Sequence, residues 1–458
     1  MKKLLLLLTL VFIMLSSCKK ELTVKHNGKL NAGLPSKPQA SIPVNNNGII
    51  QKTILSKDTI WKIDGISAVE PGSTLTIEPG THIIAGKSYY YYDEESQNMP
   101  HIKGVLVVPR KAEILAEGTA TQPIVFTSDK APEQRKAGDF GGIILLGNAP
   151  INNSRYNRIE GLPFPMRFNT EFGGNDTADN SGSLKYVRIE FPGYILSQDN
   201  SINGLTCGGV GSGTTLENIQ ISWSRDDAFE FFGGTVSAKY LVALSTQDDD
   251  FDFNLGYSGT IQYALSLKDP NSTYSTLGNP RKSDSNGLES DNHDRGYRDV
   301  PTTRPMLRNF TFIGIQDASI TKVNLKYGNR WRRATSLDIM NSIIAGYDVG
   351  ATFENINPTD SEFSFNVVHA YSKAFIGNVP GRRNLTEVGN NAGSYLNLAG
   401  GNDIFYSTNN AANFAIEALV PIKGSIAYGD GSTTFKGAFN PSGKIWTLEW
   451  TEWQPKTY

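Results

Sequence analysis

Acidic side chains recur at matching positions in three short segments of this chain. Residues 226–231 read Asp-Asp-Ala-Phe-Glu-Phe, and residues 249–253 read Asp-Asp-Phe-Asp-Phe. Residues 288–291 read Leu-Glu-Ser-Asp and follow after a longer interval. Carboxylates in such a pattern bind cations, pair with basic side chains, or serve as acid and base in the cleavage of glycosidic bonds.

Strand geometry predicts that the three acidic segments lie side by side. Alternate side chains of a strand point to opposite faces, so Phe229 and Phe231 turn inward and Glu230 turns outward. The same alternation turns Asp252 and Glu289 outward, and strands stacked about 4.8 Å apart align them with Glu230. The predicted outward column consists of Thr206, Glu230, Asp252 and Glu289, with Asp226, Asp248, Asp250 and Asp291 flanking it on the same side.

Three roles for this column are open. A structural ladder of carboxylates would be hydrated or paired with basic residues, and the candidate partners are Arg225, Arg281, Lys282 and Arg295. A calcium site that also holds a ligand would suit the same carboxylates, because Ca²⁺ takes about six to eight oxygen ligands in loose geometry. Catalysis would use paired carboxylates, as in glycoside hydrolases, or acidic calcium ligands with an Arg or Lys base, as in β-helix polysaccharide lyases.

A second candidate site is the aromatic run at residues 89–92, four consecutive tyrosines followed by Asp93-Glu94-Glu95. It breaks the strand pattern and predicts an exposed loop. Tyr90 and Tyr91 are candidate ligand-binding residues that would stack on sugar rings or on a partner protein. The alternative is that the loop packs on the body of the protein.

The spacing of the acidic segments predicts the fold that positions them. The first two segments are 22 residues apart, which matches one turn of a parallel β-helix. The next interval is 37 residues, and the excess fits an extruded loop at 268–284, which is rich in Pro, Asn, Ser and Gly. The regular frame of leucine-rich repeats is absent. We therefore predict an all-β chain with a single right-handed parallel β-helix, a pectate-lyase-like solenoid with extruded loops. The amphipathic segment 445–453 is expected to cover its open end.

The amino terminus predicts the location of the protein. Lys2 and Lys3 precede a short apolar run that ends in Leu15-Ser16-Ser17-Cys18, which resembles a bacterial lipobox. We expect a signal peptide at 1–17, acylation of Cys18, a flexible tether at 18–48 and the β-helix at 49–458. Residue 19, which follows the acylated cysteine, is a lysine. An aspartate there would indicate retention in the inner membrane, so the lysine favours the outer membrane. We expect the domain to face the cell exterior.

Composition excludes some classes of partner and of covalent cross-link. Lys and Arg total 43 and Asp and Glu total 45, giving a net charge of −2 and no basic bias, so nucleic acid is not an expected partner. The chain has two cysteines, Cys18 and Cys207. Once Cys18 is acylated, no disulfide forms within one chain.

Several sequence segments resemble segments of the LipL48-like outer-membrane lipoproteins of spirochaetes and their Bacteroidota relatives. They are residues 226–235, 249–252, 141–152 and 203–206. The resemblance implies a surface lipoprotein with a β-helix body and carries no catalytic residues. We expect a non-enzymatic binding or accessory module for glycan or nutrient uptake. By analogy with other surface lipoproteins, its expected partner is a TonB-dependent transporter in the outer membrane. The alternative is a polysaccharide lyase or glycoside hydrolase that uses Glu230, Asp252 and Glu289.

Overall fold

The structure, a computed structural model, describes residues 34–152, 157–197, 200–272, 274, 285–293, 295 and 298–458. The predicted signal peptide 1–17, Cys18 and Arg281 lie outside these residues. Within the described part of the chain, strands predominate, and no helix has the length and apolar character needed to cross a membrane.

The strands are short and follow one another at regular intervals. In the amino-terminal half they are β1 (Gln39–Ser41), β2 (Ile54–Leu55), β3 (Ile60–Ile63), β4 (Ile66–Ala68), β5 (Thr74–Ile77), β6 (His82–Ala85), β7 (Tyr89–Tyr90), β8 (His101–Ile102), β9 (Val105–Val108), β10 (Glu113–Glu117), β11 (Ile124–Thr127), β12 (Gly142–Leu146), β13 (Gly182–Glu190), β14 (Tyr194–Ser197), β15 (Asn200–Ile202) and β16 (Leu205–Gly208). In the carboxyl-terminal half they are β17 (Thr215–Ser222), β18 (Phe229–Phe232), β19 (Ala238–Leu244), β20 (Phe251–Asn254), β21 (Thr260–Leu267), β22 (Leu288–Asp291), β23 (Met306–Ile313), β24 (Tyr327–Arg332), β25 (Asp338–Met340), β26 (Ile343–Glu354), β27 (Glu362–Ser364), β28 (Val367–Ile376) and β29 (Leu385–Val388). The helices are α1 (Ala318–Asn324), α2 (Ala392–Leu396) and 3₁₀ helices at Pro358–Asp360, Thr408–Asn413 and Ile416–Leu419.

The strands stack into three parallel ladders, which we call sheets 1, 2 and 3. Sheet 1 contains β4, β9, β12, β16, β18, β20, β22, β24 and the later parts of β26 and β28. Sheet 2 contains β2, β5, β10, β25, β27 and the first parts of β13, β17, β19, β21 and β23. Sheet 3 contains β1, β3, β6, β11, the remaining parts of those long strands and β29. The predicted parallel β-helix is confirmed.

One left-handed residue makes the bend between sheets 2 and 3 in successive coils, and these residues are Tyr186, Asn218, Tyr240, Tyr263, Asn309 and Asn341. Asn218, Asn309 and Asn341 have φ values of 54°, 58° and 54°, and they occupy equivalent places in their coils. Asparagine is among the few residues other than glycine that adopt this conformation readily. The sequence thus marks the corner of several coils with an asparagine.

The interior of the solenoid is apolar and its aromatic side chains stack from coil to coil. The rings of Phe229 and Phe251 lie 5.2 Å apart and those of Phe231 and Phe253 lie 5.4 Å apart, both pairs stacked. Cys207 occupies the position before Phe231 in the same inward column and is fully buried. These contacts fix the register that places the acidic residues on the opposite side of the strands.

The carboxyl-terminal segment lies along the side of the solenoid, which corrects the expectation that it covers an open end. Trp450 and Trp453 belong to a buried cluster with Leu244 and Leu267, which project outward from sheet 3. The Gln220 side chain fixes the segment by donating to the carbonyl of Glu452 (2.7 Å) and accepting from its N–H (2.8 Å). The physical reason is that the outer surface of sheet 3 is itself apolar in these coils and needs cover.

Candidate functional site

Strand register produces the predicted column on sheet 1. Thr206 pairs with Glu230, Glu230 with Asp252, and Asp252 with Glu289. The alternating Phe229, Phe231, Phe251 and Phe253 are fully buried in the core, as the alternation predicts. The column then continues into Arg330 and Thr352, which the sequence did not reveal.

The column points away from the core, yet Thr206, Glu230 and Glu289 are buried and Asp252 is half-buried. Glu230 is 5% exposed and Glu289 is 8% exposed. The amino-terminal coils carry apolar residues on this outer surface, and Ile144 packs there with Ile159, Leu162 and Phe172. A chain segment therefore covers the outer surface of sheet 1 beside the column, and the carboxylates lie in a desolvated setting.

Arginines from the next strand neutralise the upper part of the column. Glu289 contacts the guanidinium of Arg332 and lies 3.4 Å from Nη1 of Arg330. Asp291 lies 2.9 Å from Nε of Arg332 and 2.7 Å from Nη1 of Arg333. Glu289 and Asp291 are thus fixed in ion pairs, which are strong when partly buried and bidentate.

The lower part of the column is a cluster of carboxylates, which we call the acid cluster and define as Asp226, Asp227, Glu230, Asp248 and Asp252. Oxygens of Asp226, Asp227 and Asp248 lie within 4.8 Å of one another, and so do oxygens of Asp227, Glu230 and Asp252. Within the described residues, the ion pairs of Lys and Arg do not include Asp226, Asp227, Glu230 or Asp252. The cluster therefore concentrates negative charge next to a neutralised region.

Neutral donors satisfy part of the acid cluster. Glu230 accepts hydrogen bonds from the side-chain amides of Asn203 and Asn254, the latter at 3.3 Å. Asp227 Oδ1 accepts from the N–H of Asp249 at 2.9 Å. Asp252 Oδ1 is a buried atom without a hydrogen-bond partner among the described residues.

Desolvation and mutual repulsion raise the pKa of the clustered carboxyl groups. The pKa values of Asp227, Glu230 and Asp252 all lie well above the ordinary range, first because of desolvation and then because of neighbouring carboxylates. Glu160 contributes to this effect at Glu230. The pKa of Asp226 is raised as well, again chiefly by desolvation. Such a cluster holds protons or takes up a cation, and its all-oxygen donor set fits a hard cation such as Ca²⁺.

A family model described as a pectate-lyase like beta helix domain matches residues 48–413. The chain belongs to this family. No curated protein and no solved structure matches it. Membership agrees with the parallel solenoid and leaves the chemistry of the site to be argued from this chain's own residues.

In this β-helix, Asp250 does not flank the column as expected. Its carboxylate points to the interior, where it accepts from Ser266 Oγ (2.5 Å) and lies 3.3 Å from Lys268 Nζ. Asp250 and Lys268 are both fully buried. Asp250 precedes strand β20 at a corner of the coil, where simple strand alternation does not apply.

The described ion pairs give the column basic partners, Arg330, Arg332 and Arg333, that were not among those predicted. The exposed Arg225 acts on the acid cluster only through its charge, which lowers the pKa of Asp226. Arg281 and Lys282 lie outside the described residues, and the backbone N–H of Arg295 donates to Nδ1 of His293 (3.1 Å). Arg330 and Arg332 alternate with the inward Trp331, a signal that could have revealed them. Because Arg330 follows Glu289 by 41 residues, the spacing does not show that the two residues are aligned on neighbouring strands.

The aromatic run forms an antiparallel hairpin of β7 and β8 that is extruded between sheets 3 and 1. Tyr90 is 68% exposed and stacks on His101, with ring centroids 4.4 Å apart. Tyr91 instead turns inward, and its hydroxyl accepts the N–H of Ile66 at 2.8 Å. We define the exposed surface of this hairpin, Tyr89, Tyr90, Tyr92, Met99 and His101, as the aromatic patch.

Proposed function

We propose that the protein is a lipid-anchored outer-membrane protein that acts as a non-enzymatic binding or accessory module at the cell surface. The observation that carries this proposal is the contrast between two sites. Of the carboxylates suited to catalysis, Glu230 and Glu289 are buried, Glu289 is held in ion pairs and Asp252 is half-buried, whereas the aromatic patch projects into solvent. The resemblance to LipL48-like lipoproteins and the lipobox at Cys18 support the location.

The ligand that best suits the aromatic patch is a glycan. Exposed tyrosine rings offer flat apolar surfaces with a polar hydroxyl at the edge, which matches the apolar faces and hydroxyl rim of a sugar. Tyr90 is already held flat by its stacking on His101, so little side-chain freedom remains to be lost on binding. Tyr91 fixes the hairpin to the body of the protein through its hydrogen bond with Ile66, and we do not expect it to contact the ligand.

A glycan array and titration calorimetry on matched variants test this role. Tyr90→Ala removes the ring, whereas Tyr90→Phe keeps the ring and its stacking on His101. We expect the alanine variant to lose binding by about tenfold or more and the phenylalanine variant to retain most of it. Equal binding by wild type and Tyr90→Ala would reject the patch as the ligand site.

Hydrolase or lyase chemistry at Glu230, Asp252 and Glu289 has less support. A general acid or base must reach the scissile bond directly or through one water molecule. Glu289 is held by Arg332 and Arg330, and Glu230 is bonded to two asparagine amides. Release of reducing ends or unsaturated products from any polysaccharide, lost in Asp252→Asn, would overturn the binding role.

Calcium is our proposed occupant of the acid cluster. Several carboxylates supply hard oxygen ligands, and the cluster lies where like charges raise one another's pKa. A bound cation would neutralise this charge and fix the position of the covering segment. We therefore assign calcium a stabilising role here, with no step of catalysis.

A transporter is the proposed partner, and purification from native outer membranes tests it. The affinity tag belongs in the exposed turn at Lys423 and Gly424, because the hydroxyl of Tyr458 donates to Glu190 and a carboxyl-terminal tag would disturb that contact. A co-eluting outer-membrane barrel of the TonB-dependent class would support the accessory role. Elution of the protein alone would reject a stable complex. A Cys18→Ala variant should be lost from the membrane fraction.

A further inference from the structure

A groove of about 410 Å³ opens on the outer surface of sheet 3 near the amino-terminal end. Its floor follows one column of the ladder, in which His82 pairs with Val125 and Val125 pairs with Arg188. Lys37 and Lys57 line the groove together with Gln122. This site is on a different sheet from the acid cluster and has no part in the function proposed above.

The lining of the groove is positively charged. The lining contains Lys37, Lys57 and Arg188 and one carboxylate, Asp58, which leaves a net charge of +2 among the lining residues. Two further carboxylates lie behind the lining: Glu190 is 3.3 Å from Arg188, and Glu78 accepts from the backbone N–H of Lys57 at 3.0 Å. Lys37 Nζ donates to the backbone carbonyl of Lys57 at 2.5 Å, so the ammonium of Lys37 lies beside the main chain of Lys57. The guanidinium of Arg188 is fixed, since it donates to the hydroxyl of Tyr458 at 3.0 Å.

Arg188 is only partly neutralised by its own neighbours. Its Nε lies 3.3 Å from Glu190 Oε1 but makes no hydrogen bond. Glu190 also accepts from the hydroxyls of Tyr458 and Thr127, so its charge is shared among three donors. Because Arg188 lines the groove, an anion bound there would be a second anionic partner for this guanidinium.

The floor of the groove also holds a polar atom without a partner. Nδ1 of His82 is buried and makes no hydrogen bond within the described residues. Burial and the charges of Arg188 and Lys37 lower the pKa of His82 to about 4. A hydrogen bond between the ring and the backbone of Gly80 acts in the opposite direction on this pKa. The ring is therefore neutral at neutral pH, with one nitrogen protonated and the other not. A buried polar group of this kind costs stability unless a ligand or water satisfies it.

We propose that this groove binds a phosphate monoester, with Lys37, Lys57 and Arg188 contacting its oxygens and His82 beneath it. A phosphate monoester is close to a dianion at neutral pH, which matches the net charge of the lining better than a single carboxylate does. The volume leaves room for the group that carries the phosphate, and apolar Val125 and Pro123 line part of that space.

Titration of full-length protein with inorganic phosphate tests the site. Histidine labelling with ¹³C allows the imidazole of His82 to be followed, and a His82→Gln variant identifies its signal among the five histidines. We expect a saturable shift of that signal and a rise in the pKa of His82, because a bound dianion favours the imidazolium. Absence of a saturable shift at millimolar phosphate would overturn the proposal.

Matched lysine variants separate this site from nonspecific binding of anions. The double variant Lys37→Gln/Lys57→Gln should bind phosphate at least about tenfold more weakly. Lys423→Gln removes one exposed lysine far along the chain and should bind as wild type does. Wild-type affinity in the double variant would overturn the assignment.

Two soluble esters then distinguish the sources of the phosphate. Tighter binding of glucose 6-phosphate would indicate a sugar phosphate, and tighter binding of dihexanoyl phosphatidate would indicate a lipid headgroup. Both results support phosphate recognition. Failure of both esters to compete with inorganic phosphate would overturn recognition of a monoester.

Discussion

Replacing Asp252 by asparagine should stabilise the protein in the absence of calcium. Asp252 shares with Asp227 and Glu230 a set of oxygens within 4.8 Å of one another. Two full charges at that distance repel by about 3.5 kcal/mol at an effective dielectric constant of about 20. Proton uptake relieves part of this repulsion, so we expect Asp252→Asn to raise the free energy of unfolding by about 1–3 kcal/mol at pH 8.

The pH dependence gives the sign of the effect. A carboxyl group whose folded pKa is raised binds more protons in the folded than in the unfolded state, and the stability that this proton gives is lost as pH rises through the folded pKa. The raised pKa values of Asp227, Glu230 and Asp252 thus predict that the wild type loses stability as the pH rises above the ordinary carboxyl pKa of about 4 and through the raised folded values. The slope should be about 1.4 kcal/mol per pH unit for each excess proton, and shallower in Asp252→Asn.

The assay is urea unfolding, followed by tryptophan fluorescence, with a calcium chelator between about pH 6.5 and pH 8.5. Below that range the lowered pKa values of His82 and His369 act in the opposite direction, since these rings take up protons on unfolding. Asp403→Asn, which removes an exposed carboxylate, is the matched control and should leave the slope unchanged.

Addition of calcium distinguishes an acid cluster that is neutralised by protons from one that binds a cation. If calcium binds, it should stabilise the wild type by about 2.7 kcal/mol at a hundred times its dissociation constant, and Asp252→Asn by much less. Equal calcium effects in both proteins would reject the site. A wild type that gains stability from pH 6.5 to pH 8.5 without calcium would refute the electrostatic reasoning itself.

Three further outcomes follow from individual contacts. Arg332→Met should lower the free energy of unfolding by about 3–5 kcal/mol in urea, because it strips a partly buried partner from Glu289; a loss below about 1 kcal/mol would contradict this. Tyr458→Phe should cost about 1–3 kcal/mol, measured the same way, because Glu190 loses a hydroxyl donor. Tyr91→Phe should cost about 1 kcal/mol and leave glycan affinity intact, and a tenfold loss of affinity would assign Tyr91 to the ligand site.

The sequence predicted the fold because periodicity reports the stacking directly. Glu230 and Asp252 are one coil apart, and alternation with phenylalanine fixes which side chains face out. The same reasoning also placed Glu289 correctly across a 37-residue interval, because the acidic pattern resumes after the loop. It failed at Arg330, which lies beside Glu289 in space but follows it by 41 residues and does not repeat the acidic pattern. Loop length varies in a solenoid, so spacing alone does not give the register beyond a loop.

Burial of the site was the second feature that spacing could not supply. An outward position on a strand predicts exposure only where no other segment covers the sheet. Ile144 and Phe232 also point outward from sheet 1, and they are buried against Phe172 of a covering segment. The apolar character of Ile144, one coil before Thr206, is the residue-level sign that this surface is covered.

The order of residues along the column explains why the acid cluster needs an occupant. Aligned side chains of successive coils are about 4.8 Å apart, so each charge feels mainly the coil above and the coil below. Glu289 meets arginine on its carboxyl-terminal side and is neutralised. Glu230 has Thr206 on one side and Asp252 on the other, so its ladder neighbours offer no opposite charge. Protons or a cation must therefore supply the positive charge that neighbouring coils do not. The comparison of Asp252→Asn with and without calcium determines whether protons or calcium supply it.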